Sequence, residues 1–311
     1  MYQAFTEMCP PAPKWTVGDM PDLAGKVIIV TGGNTGIGFI TCKYLLLHNA
    51  TVYMLCRSPN KAQDAIHQLQ DVTGGKEAKF IQCDLADLPS VKRCVQEFTS
   101  KEQRLDVLFN SAGVMFPPIE QVTKQNFDLQ FGTNVIGHCY LTVLLLPILL
   151  STAQESGNKV RVINTSSDGH ILFSPKEGIN YDVLSDSPER RKMATTAMYG
   201  MSKWGNVVFS KELARRYGSQ GVISHALNPG HLRTELQRHG SGLSKRIADM
   251  LLFELDPLGA LTQLYAGTAA EAGEVNGQYY IPWARHGQAN DPEAGKQLWA
   301  WLEKELKKYW L

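Results

Sequence analysis

The feature that most constrains the fold is a regular alternation of short apolar runs with longer amphipathic stretches. The first apolar run, within KVIIVT, is continuous and ends at glycines, which is typical of a strand buried on both faces. Strands are predicted at 26–31, 51–56, 78–83, 106–110, 160–166, 222–228 and 278–281, and helices near 36–49, 59–71, 88–100, 123–151, 193–217 and 258–272. Repeated strand–helix–strand units predict an α/β protein, with a doubly wound parallel sheet of about seven strands and helices on both faces.

The domain organisation follows from what interrupts this alternation. No internal repeat or Ser/Gly-rich linker divides the chain, so we predict one domain, at 26–285, after a Pro-rich surface arm (1–25) and before a helical extension (286–311). Two segments, 168–192 and 231–256, do not follow the alternation of strands and helices. Each follows a strand at the carboxyl edge of the sheet, where ligands bind in open α/β folds. We expect them to be lids or pocket walls, and plain surface loops are the alternative.

Composition limits the kinds of partner. Apolar residues make up 43% and charged residues 20% of the 311 residues, and the formal net charge is +1. With so little net charge, no global field attracts nucleic acid or an anionic membrane. The predicted partner is therefore a small molecule held in a pocket.

Neither the N-terminus nor the cysteines indicate secretion, a membrane span or a metal site. The first 15 residues lack a basic start followed by an apolar run, and the longest apolar run, at 141–150, is short and contains Pro147. The six cysteines lie far apart without a C-x-x-C pair, as expected for buried thiols in a reducing compartment. We expect a cytoplasmic protein with no transmembrane segment and no metal.

A glycine-rich loop, VTGGNTGIG, joins the first predicted strand to the first helix. Glycines allow a tight turn and a close approach to a pyrophosphate, while the helix N-terminus offers free N–H groups and partial positive charge. The loop predicts a Rossmann-type dinucleotide site. The residues expected there are Gly32, Asn34, Thr35, Gly36, Ile37 and Gly38, joined by Asn110, Ala112 and Gly113 of NSAG after the fourth strand.

The end of the second strand indicates which dinucleotide is bound. An NAD site normally places an acid there, but this chain has Cys56, Arg57 and Ser58. Arg57, helped by Lys61, suits a 2′-phosphate, so NADP(H) is favoured over NAD(H); a solvent-facing Arg57 is the alternative. Asp84, with Leu85 beside it, ends the third strand, where it either holds the adenine or caps a helix.

Tyr199 and Lys203 stand four residues apart and so share one face of a predicted helix. A nearby ammonium stabilises phenolate, so we expect Lys203 to lower the pKa of Tyr199 and to hold the nicotinamide ribose. Ser166 or Ser167, at the end of the fifth strand, is expected to donate to a substrate oxygen. Asn134 is expected to hold a water linked to Lys203.

The segment NPGHLRT after the sixth strand supplies the other end of the cofactor site. Pro229 and Gly230 are expected to turn the chain across the cofactor, with Leu232 beside it and Thr234 bonding the carboxamide.

Taken in order, these motifs resemble the short-chain dehydrogenase/reductase family over about 24–285. The matches are T-G-x-x-x-G-x-G at 31–38, N-x-A-G at 110–113, the serine, Y-x-x-x-K and the P-G turn. The resemblance implies a tetrad of Asn134, Ser167, Tyr199 and Lys203, with Ser166 as the fallback for the serine. The chain looks closest to the retinol-dehydrogenase-like branch, which often uses NADP(H). Family members commonly form homodimers or homotetramers.

The predicted reaction is hydride transfer between nicotinamide C4 and a carbonyl or alcohol carbon, with Tyr199 as acid or base. NADPH favours reduction, and Asn134 would complete a proton path to solvent. A sugar-nucleotide epimerase or dehydratase also uses Y-x-x-x-K, but the four-residue step from Gly32 to Gly36 disfavours it. A non-turnover NADP(H) scaffold or sensor is the alternative from another class.

Two further predictions concern the substrate and the C-terminus. An apolar or aromatic carbonyl compound is suggested by candidate pocket walls, with core packing as the alternative; these are Met115, Phe116, His170, Phe173, Met198, Leu232, Leu236 and Leu243. The last helix carries one apolar stripe, formed by Leu298, Leu302 and Leu306 with tryptophans nearby. Docking on the same subunit, a dimer contact and shallow membrane association are the three possibilities.

Overall fold

The predicted α/β architecture is confirmed by a computed structural model, which describes residues 6–231 and 254–310. Its sheet has eight strands in the order β3-β2-β1-β4-β5-β6-β7-β8, all parallel except β8, which is antiparallel to β7. The strands are β1 Val27–Thr31, β2 Thr51–Cys56, β3 Lys79–Gln82, β4 Val107–Asn110, β5 Val160–Thr165, β6 Val222–Leu227, β7 Tyr279–Ile281 and β8 Arg285–His286. The eighth strand is a two-residue edge, too short for any periodicity to reveal.

Helices connect these strands and cover both faces of the sheet. They are α1 Gly36–Leu47, α2 Pro59–Thr73, α3 Leu88–Lys101, α4 Leu129–Ser156, α5 Thr195–Tyr217, α6 Leu258–Thr268 and α7 Pro292–Trp310. Between β5 and α5 the chain adds the short helical turns Gly169–Leu172, Tyr181–Val183 and Pro188–Arg191. The segment expected at 168–192 is therefore partly helical. Most of the one at 231–256 lies outside the described residues.

The strand order reverses direction at β1, and this positions the ligand site. Ile28 pairs with Val52 of β2 on one side and with Val107 of β4 on the other. The connections after β1 and β4 therefore leave the sheet in opposite directions and open a crevice at its carboxyl edge. The glycine loop after β1 lines that crevice.

Alternation along β1 divides the core into two layers. Ile29 packs with the apolar residues of α3, α4, α5 and α7, whereas Ile28 and Val30 pack with those of α1, α2 and α6. All three side chains are fully buried, as expected for a strand covered on both faces.

Helix α4 is the one helix in the described part of the chain that is long and apolar enough to cross a membrane. Two thirds of its most apolar stretch is buried inside the protein. Its apolarity is therefore used for core packing, as in the central helix of a globular domain.

The C-terminal helix α7 docks on its own subunit, which is the first of the three arrangements considered above. Leu298, Leu302 and Leu306 are buried in the larger core layer together with Trp299. The Trp299 ring stacks on Phe209 of α5, with ring centroids 5.6 Å apart. The apolar stripe of α7 is thus satisfied within the chain.

The N-terminal arm differs from the expected surface segment, because several of its side chains are buried. Met20 and Leu23 pack against the layer around α1. Glu7 is fully buried, and its carboxylate accepts hydrogen bonds from Asn228 at 2.7 Å and from the Tyr279 hydroxyl at 3.4 Å. The arm therefore reaches the carboxyl end of β6 and the first residue of β7, beside the ligand crevice.

Candidate active site

The glycine loop forms a tight cradle that is open on one side. Gly32 and Gly36 have φ angles of +69° and +55°, a region that glycine adopts without strain. A Cβ added at Gly32 would lie 3.0 Å from the backbone of Ala112, whereas one added at Gly36 would meet nothing within 4 Å. Thr35 precedes α1 without a side-chain cap, which leaves the first N–H groups of that helix available. The loop fits a bound pyrophosphate on its open side.

Thr31 and His138 connect this cradle to the segment after β4. The Thr31 hydroxyl accepts hydrogen bonds from the N–H groups of Ser111 and Ala112, both at 2.9 Å. It also contacts His138 Nε2 at 2.8 Å, while His138 Nδ1 contacts the Asn134 carbonyl at 3.0 Å. Burial lowers the pKa of His138 to about 4, so the imidazole is neutral and serves as a fixed link. Sequence analysis assigned His138 no role.

Arg57 lies exposed in the turn between β2 and α2, and Lys61 lies exposed in the first turn of α2, where a 2′-phosphate is expected. Ser58 accepts a bond from the Lys61 N–H at 3.4 Å and so caps α2. Within residues 6–231 and 254–310, the Arg57 guanidinium makes no hydrogen bond or ion pair. Its charge is therefore available at this end of the crevice.

Asp84 and Leu85 follow β3. An Asp84 carboxylate oxygen accepts from the Ala86 N–H at 3.0 Å, which stabilises a turn, while the N-cap position of α3 is held by Asp87. Leu85 is buried, and its backbone lies against α4 so closely that only a glycine fits at 137. Asp84 therefore stabilises the turn before α3 and does not cap the helix, and its role toward the adenine stays a prediction.

The segment after β4 divides its residues between core and crevice. The Asn110 amide donates to Thr142 at 3.0 Å and to Asn164 at 2.9 Å, and the side chain is 2% exposed. Asn110 thus faces the core and braces β4 against β5 and α4. Gly113 faces the site: a Cβ added there would lie 3.3 Å from Asn134 Oδ1 and 3.6 Å from Lys203 Nζ.

Tyr199 and Lys203 lie on one buried face of α5, as their spacing predicts. Lys203 Nζ is 5.6 Å from the centroid of the Tyr199 ring and donates to the Thr165 carbonyl at 3.1 Å. Burial lowers the pKa of Lys203 to about 8. The ammonium is thus fixed at the end of β5, next to the phenol.

The acidity of Tyr199 differs from the expectation that Lys203 lowers it. Burial raises the pKa of Tyr199 to about 12; the neighbouring Ser167 hydroxyl opposes this rise, and the charge of Asp168 adds to it. Loss of hydration therefore outweighs the neighbouring ammonium, because charging a fully enclosed phenol is unfavourable. At neutral pH the phenol is protonated and ready to act as an acid.

The two serines after β5 point in different directions. The Ser166 hydroxyl is buried and donates to the Lys203 carbonyl at 2.7 Å, which ties β5 to α5. Ser167 lies at the edge of the crevice and donates to Asp168 at 3.0 Å, and its hydroxyl is near enough to Tyr199 to oppose the rise in the pKa of the phenol. The structure therefore places Ser167, and not Ser166, beside the phenol.

Asn134 occupies a π-helical turn, Gly132–Gly137, at the start of α4. Its amide donates to the Val114 carbonyl and to Ser202, both at 3.0 Å, and its oxygen accepts from the Val114 N–H at 2.8 Å. The side chain is completely buried and fully bonded to protein, so it positions the segment after β4 next to Lys203. π-turns of this kind are frequent at functional sites.

An apolar wall surrounds the phenol. The Phe116 ring meets the Tyr199 ring edge to face at 5.3 Å, and Phe173 meets Phe116 at 6.3 Å. Ile171, Leu172 and Phe173 are each at least 40% exposed, which is unusual for three consecutive apolar residues. Together with Phe116 they form an apolar lip at the mouth of the site.

The other candidate wall residues have different surroundings. Met198 is fully buried in the core layer, so it packs the interior and does not face the crevice. His170 is buried and stacks on Trp204, with ring centroids 5.7 Å apart. Met115 is half-buried. Leu232, Leu236 and Leu243, together with the cofactor candidate Thr234, lie outside the described residues.

The turn after β6 carries the last described part of the predicted cofactor site. Gly230 has a φ angle of +99°, and its N–H donates to Asn228 at 3.0 Å. Pro229 is buried, and a Cβ added at Gly230 would lie 3.2 Å from the Trp283 ring. The following residue, His231, contacts Asp168 at 2.5 Å.

Sequence analysis assigned no role to Asp168 or to His231. The sequence shows that Asp168 directly follows the candidate serine and that His231 directly follows the P-G turn. Neither motif indicates that these two side chains contact each other. For metals, residues 6–231 and 254–310 hold no group of three or more His, Cys, Asp or Glu side chains placed to bind one.

Comparison with known proteins gives consistent matches over the whole chain. The model of the short chain dehydrogenase family matches residues 26–179. A short-chain dehydrogenase/reductase of Armillaria gallica is 55% identical over 99% of both chains. An uncharacterized oxidoreductase of Schizosaccharomyces pombe is 36% identical over 94% of this chain and 88% of that protein.

Solved structures show the same similarity. An uncharacterized protein from Mycobacterium paratuberculosis shares 28% identity and a TM-score of 0.71, over 94% of this chain and 97% of that chain. An NADP active-site complex of Pseudomonas aeruginosa RhlG shares 25% identity and a TM-score of 0.66, over 84% and 95%.

Proposed function

This chain belongs to the short-chain dehydrogenase/reductase family, an oxidoreductase family that acts with NAD(P) on CH–OH groups, and we propose that it reduces an apolar or aromatic carbonyl compound with NADPH. The observation that carries this proposal is the grouping of Ser167, Tyr199 and Lys203 at the open end of the crevice that begins at the glycine loop. When bound, the dinucleotide supplies the hydride.

Each polar group has a role that its surroundings support. Ser167 donates to the substrate oxygen, and Tyr199, protonated at neutral pH, gives its proton to that oxygen as negative charge develops. Lys203 stays beside the phenol and stabilises the phenolate that remains. Asn134 holds the segment after β4 in register with Lys203. The raised pKa of Tyr199 keeps the phenol protonated at neutral pH, which is the form that carbonyl reduction requires.

The substrate class rests on the apolar lip. Exposed apolar surface next to a buried hydrogen-bonding pair is the usual composition of a site for an apolar ligand with one polar group. The rings of Phe116 and Phe173 offer edge and face contacts to an aromatic substrate.

The preference for NADP(H) rests on Arg57 and Lys61. Arg57 is exposed and uncommitted within the described residues, and no acid ends β2. RhlG, of similar fold, was solved with NADP. Replacing Arg57 with Ala should remove roughly 1.5–3 kcal/mol of charge-assisted bonding, or about 10- to 100-fold in NADPH affinity, without changing NADH affinity. Arg93→Ala, on the exposed face of α3, is the matched control.

The central experiment is Tyr199→Phe, assayed by NADPH oxidation over a panel of aromatic ketones, aldehydes and quinones. Loss of the proton donor should abolish turnover and leave NADPH binding, measured by fluorescence, nearly unchanged. Tyr217→Phe, at the other end of the same helix, should keep full activity. A fully active Tyr199→Phe would refute the acid role. If the wild-type protein binds NADPH but oxidises it with no compound of the panel, the scaffold alternative is favoured.

Three finer statements stay predictions from the sequence: the retinol-dehydrogenase-like branch, a cytoplasmic location, and assembly as a homodimer or homotetramer. None of them enters the argument for the reaction.

A further inference from the structure

A buried carboxylate–imidazole pair adjoins the candidate catalytic serine. Asp168 Oδ1 accepts the Ser167 hydroxyl at 3.0 Å, and Asp168 Oδ2 contacts His231 Nε2 at 2.5 Å. Asp168 is 5% exposed, whereas the His231 side chain is 32% exposed. The pair therefore runs from the edge of the solvent to the hydroxyl beside the phenol.

Ser167 has a single hydroxyl proton and two competing acceptors for it. Its oxygen already accepts the Gly169 N–H at 3.1 Å. Its proton goes either to Asp168 or to the oxygen that Tyr199 protonates. An ionised carboxylate is a strong acceptor. When protonated His231 donates to the other oxygen of Asp168, however, the carboxylate becomes a weaker acceptor for the Ser167 proton.

Resting on the proposed function above, we propose that Asp168 and His231 are positioning residues, and that protonated His231 frees the Ser167 hydroxyl to donate to the substrate oxygen. Loss of the His231 proton leaves an uncompensated carboxylate beside the site. That carboxylate then holds the serine proton and opposes formation of the Tyr199 phenolate.

The charges around the pair support its ionised form near neutrality. Burial would raise the pKa of Asp168, but bonds from His231 and Ser167 hold it below its ordinary range. The bond with Asp168 raises the pKa of His231, and the buried carboxylate of Glu7 adds to this. Although burial opposes the rise, the pKa of His231 lies above the ordinary histidine value, so the imidazole keeps its proton to higher pH than a free histidine does.

The other titratable neighbours do not replace His231 as the partner of Asp168. His170 contacts the Ser167 carbonyl through Nδ1, and burial lowers its pKa, so it is neutral at pH 7. Tyr279 is buried, and burial raises the pKa of its phenol, so it carries no charge. Lys203 donates to the Thr165 carbonyl at 3.1 Å.

The pair also joins two parts of the site that are distant in sequence. His231 directly follows the turn at 229–230, which is held through Asn228 to Glu7 of the N-terminal arm. Asp168 directly follows the serine. The contact between His231 and Asp168 therefore links the position of the turn at 229–230 to the hydrogen bond that Ser167 makes.

The test is a double-mutant cycle of His231→Gln and Asp168→Asn, with kcat and kcat/KM for carbonyl reduction measured from pH 6 to 10. We expect His231→Gln to lower kcat about tenfold near neutrality and to remove the alkaline decline. In the Asp168→Asn background, the same change should alter kcat less than twofold. His67→Gln, an exposed histidine on α2, should leave the profile unchanged.

A second measurement is independent of turnover. The imidazole resonance of His231, assigned by its loss in His231→Gln, should titrate above the ordinary histidine value and move downward in Asp168→Asn. Equal effects of His231→Gln at every pH and in both backgrounds, or an unshifted titration, would overturn the pairing. A wild-type enzyme that reduces no carbonyl would instead contradict the proposed function.

Discussion

Replacing Gly169 with alanine tests how closely the backbone after Ser167 holds the candidate acid. Gly169 begins a short helical turn, and its backbone lies directly against the ring of Tyr199. An added Cβ would lie 2.8 Å from Tyr199 Cε1, 3.1 Å from Cδ1 and 3.4 Å from the Phe173 ring. Since ordinary carbon contacts begin near 3.4 Å, the Tyr199 ring must move by about 0.6 Å or more.

The direction of that movement is restricted. Phe116 meets the Tyr199 ring at 5.3 Å, and the ring is otherwise enclosed, with 7% of the residue exposed. The phenol oxygen therefore leaves its position relative to Ser167 and Lys203. Displacements approaching 1 Å at a reacting group cost up to about 100-fold in rate, so we expect kcat to fall roughly 10- to 100-fold.

The expected net loss of stability is about 0–2.6 kcal/mol, which leaves the protein folded and separates this effect from misfolding. Overpacking costs about 1–3 kcal/mol, but alanine in place of glycine at a compatible backbone regains roughly 0.4–1 kcal/mol. The assay is steady-state NADPH oxidation with the best substrate of the panel, with the denaturation midpoint measured in parallel. Gly18→Ala, where the new Cβ meets nothing closer than 3.5 Å, is the control. An unchanged kcat in Gly169→Ala would refute the close fit.

Three predictions concern stability. Arg190→Met should cost about 3–5 kcal/mol in denaturant unfolding, because it leaves the buried carboxylate of Asp128 without its 3.1 Å partner; an unchanged midpoint would contradict this. Burial opposes ionisation of Asp106, but Arg104 and neighbouring donors hold its pKa below the ordinary value. Its contribution to stability is therefore present above about pH 4 and is lost as pH falls, so Asp106→Asn should flatten the dependence of stability on pH below about pH 5 and leave it unchanged above. Trp299→Ala should cost about 3–5 kcal/mol and loosen α7, seen as faster hydrogen exchange in that helix.

Much of the architecture was accessible from local sequence. Buried parallel strands read as continuous apolar runs, and helices show their own period, so the layers and the glycine-loop crevice followed from pattern alone. The helix spacing also placed Tyr199 and Lys203 on one face, because residues four apart are neighbours on any α-helix. The eighth strand was not predicted, because a strand of two residues is too short to show a period-2 pattern.

The finer arrangement of the site depended on burial, which spacing does not encode. Sequence predicted that Lys203 makes Tyr199 acidic, but the structure encloses the ring so fully that burial raises the pKa of the phenol instead. Similarly, Asn110 matches the cofactor motif, yet the buried amide faces the core. A motif gives residue types in order and leaves the surroundings of each side chain undetermined.

The sequence by itself determined the succession of strands and helices along the chain, the turn at the glycines and the pairing of phenol and amine on α5, because each depends on neighbours within a few residues. Only the tertiary structure decided which serine faces the phenol, and that His231 meets Asp168 across 63 positions of the chain. It also brought Glu7 to the carboxyl edge, 221 positions before its partner Asn228. Such contacts arise when distant strand ends converge at one edge of the sheet, and no local pattern specifies which side chains then meet.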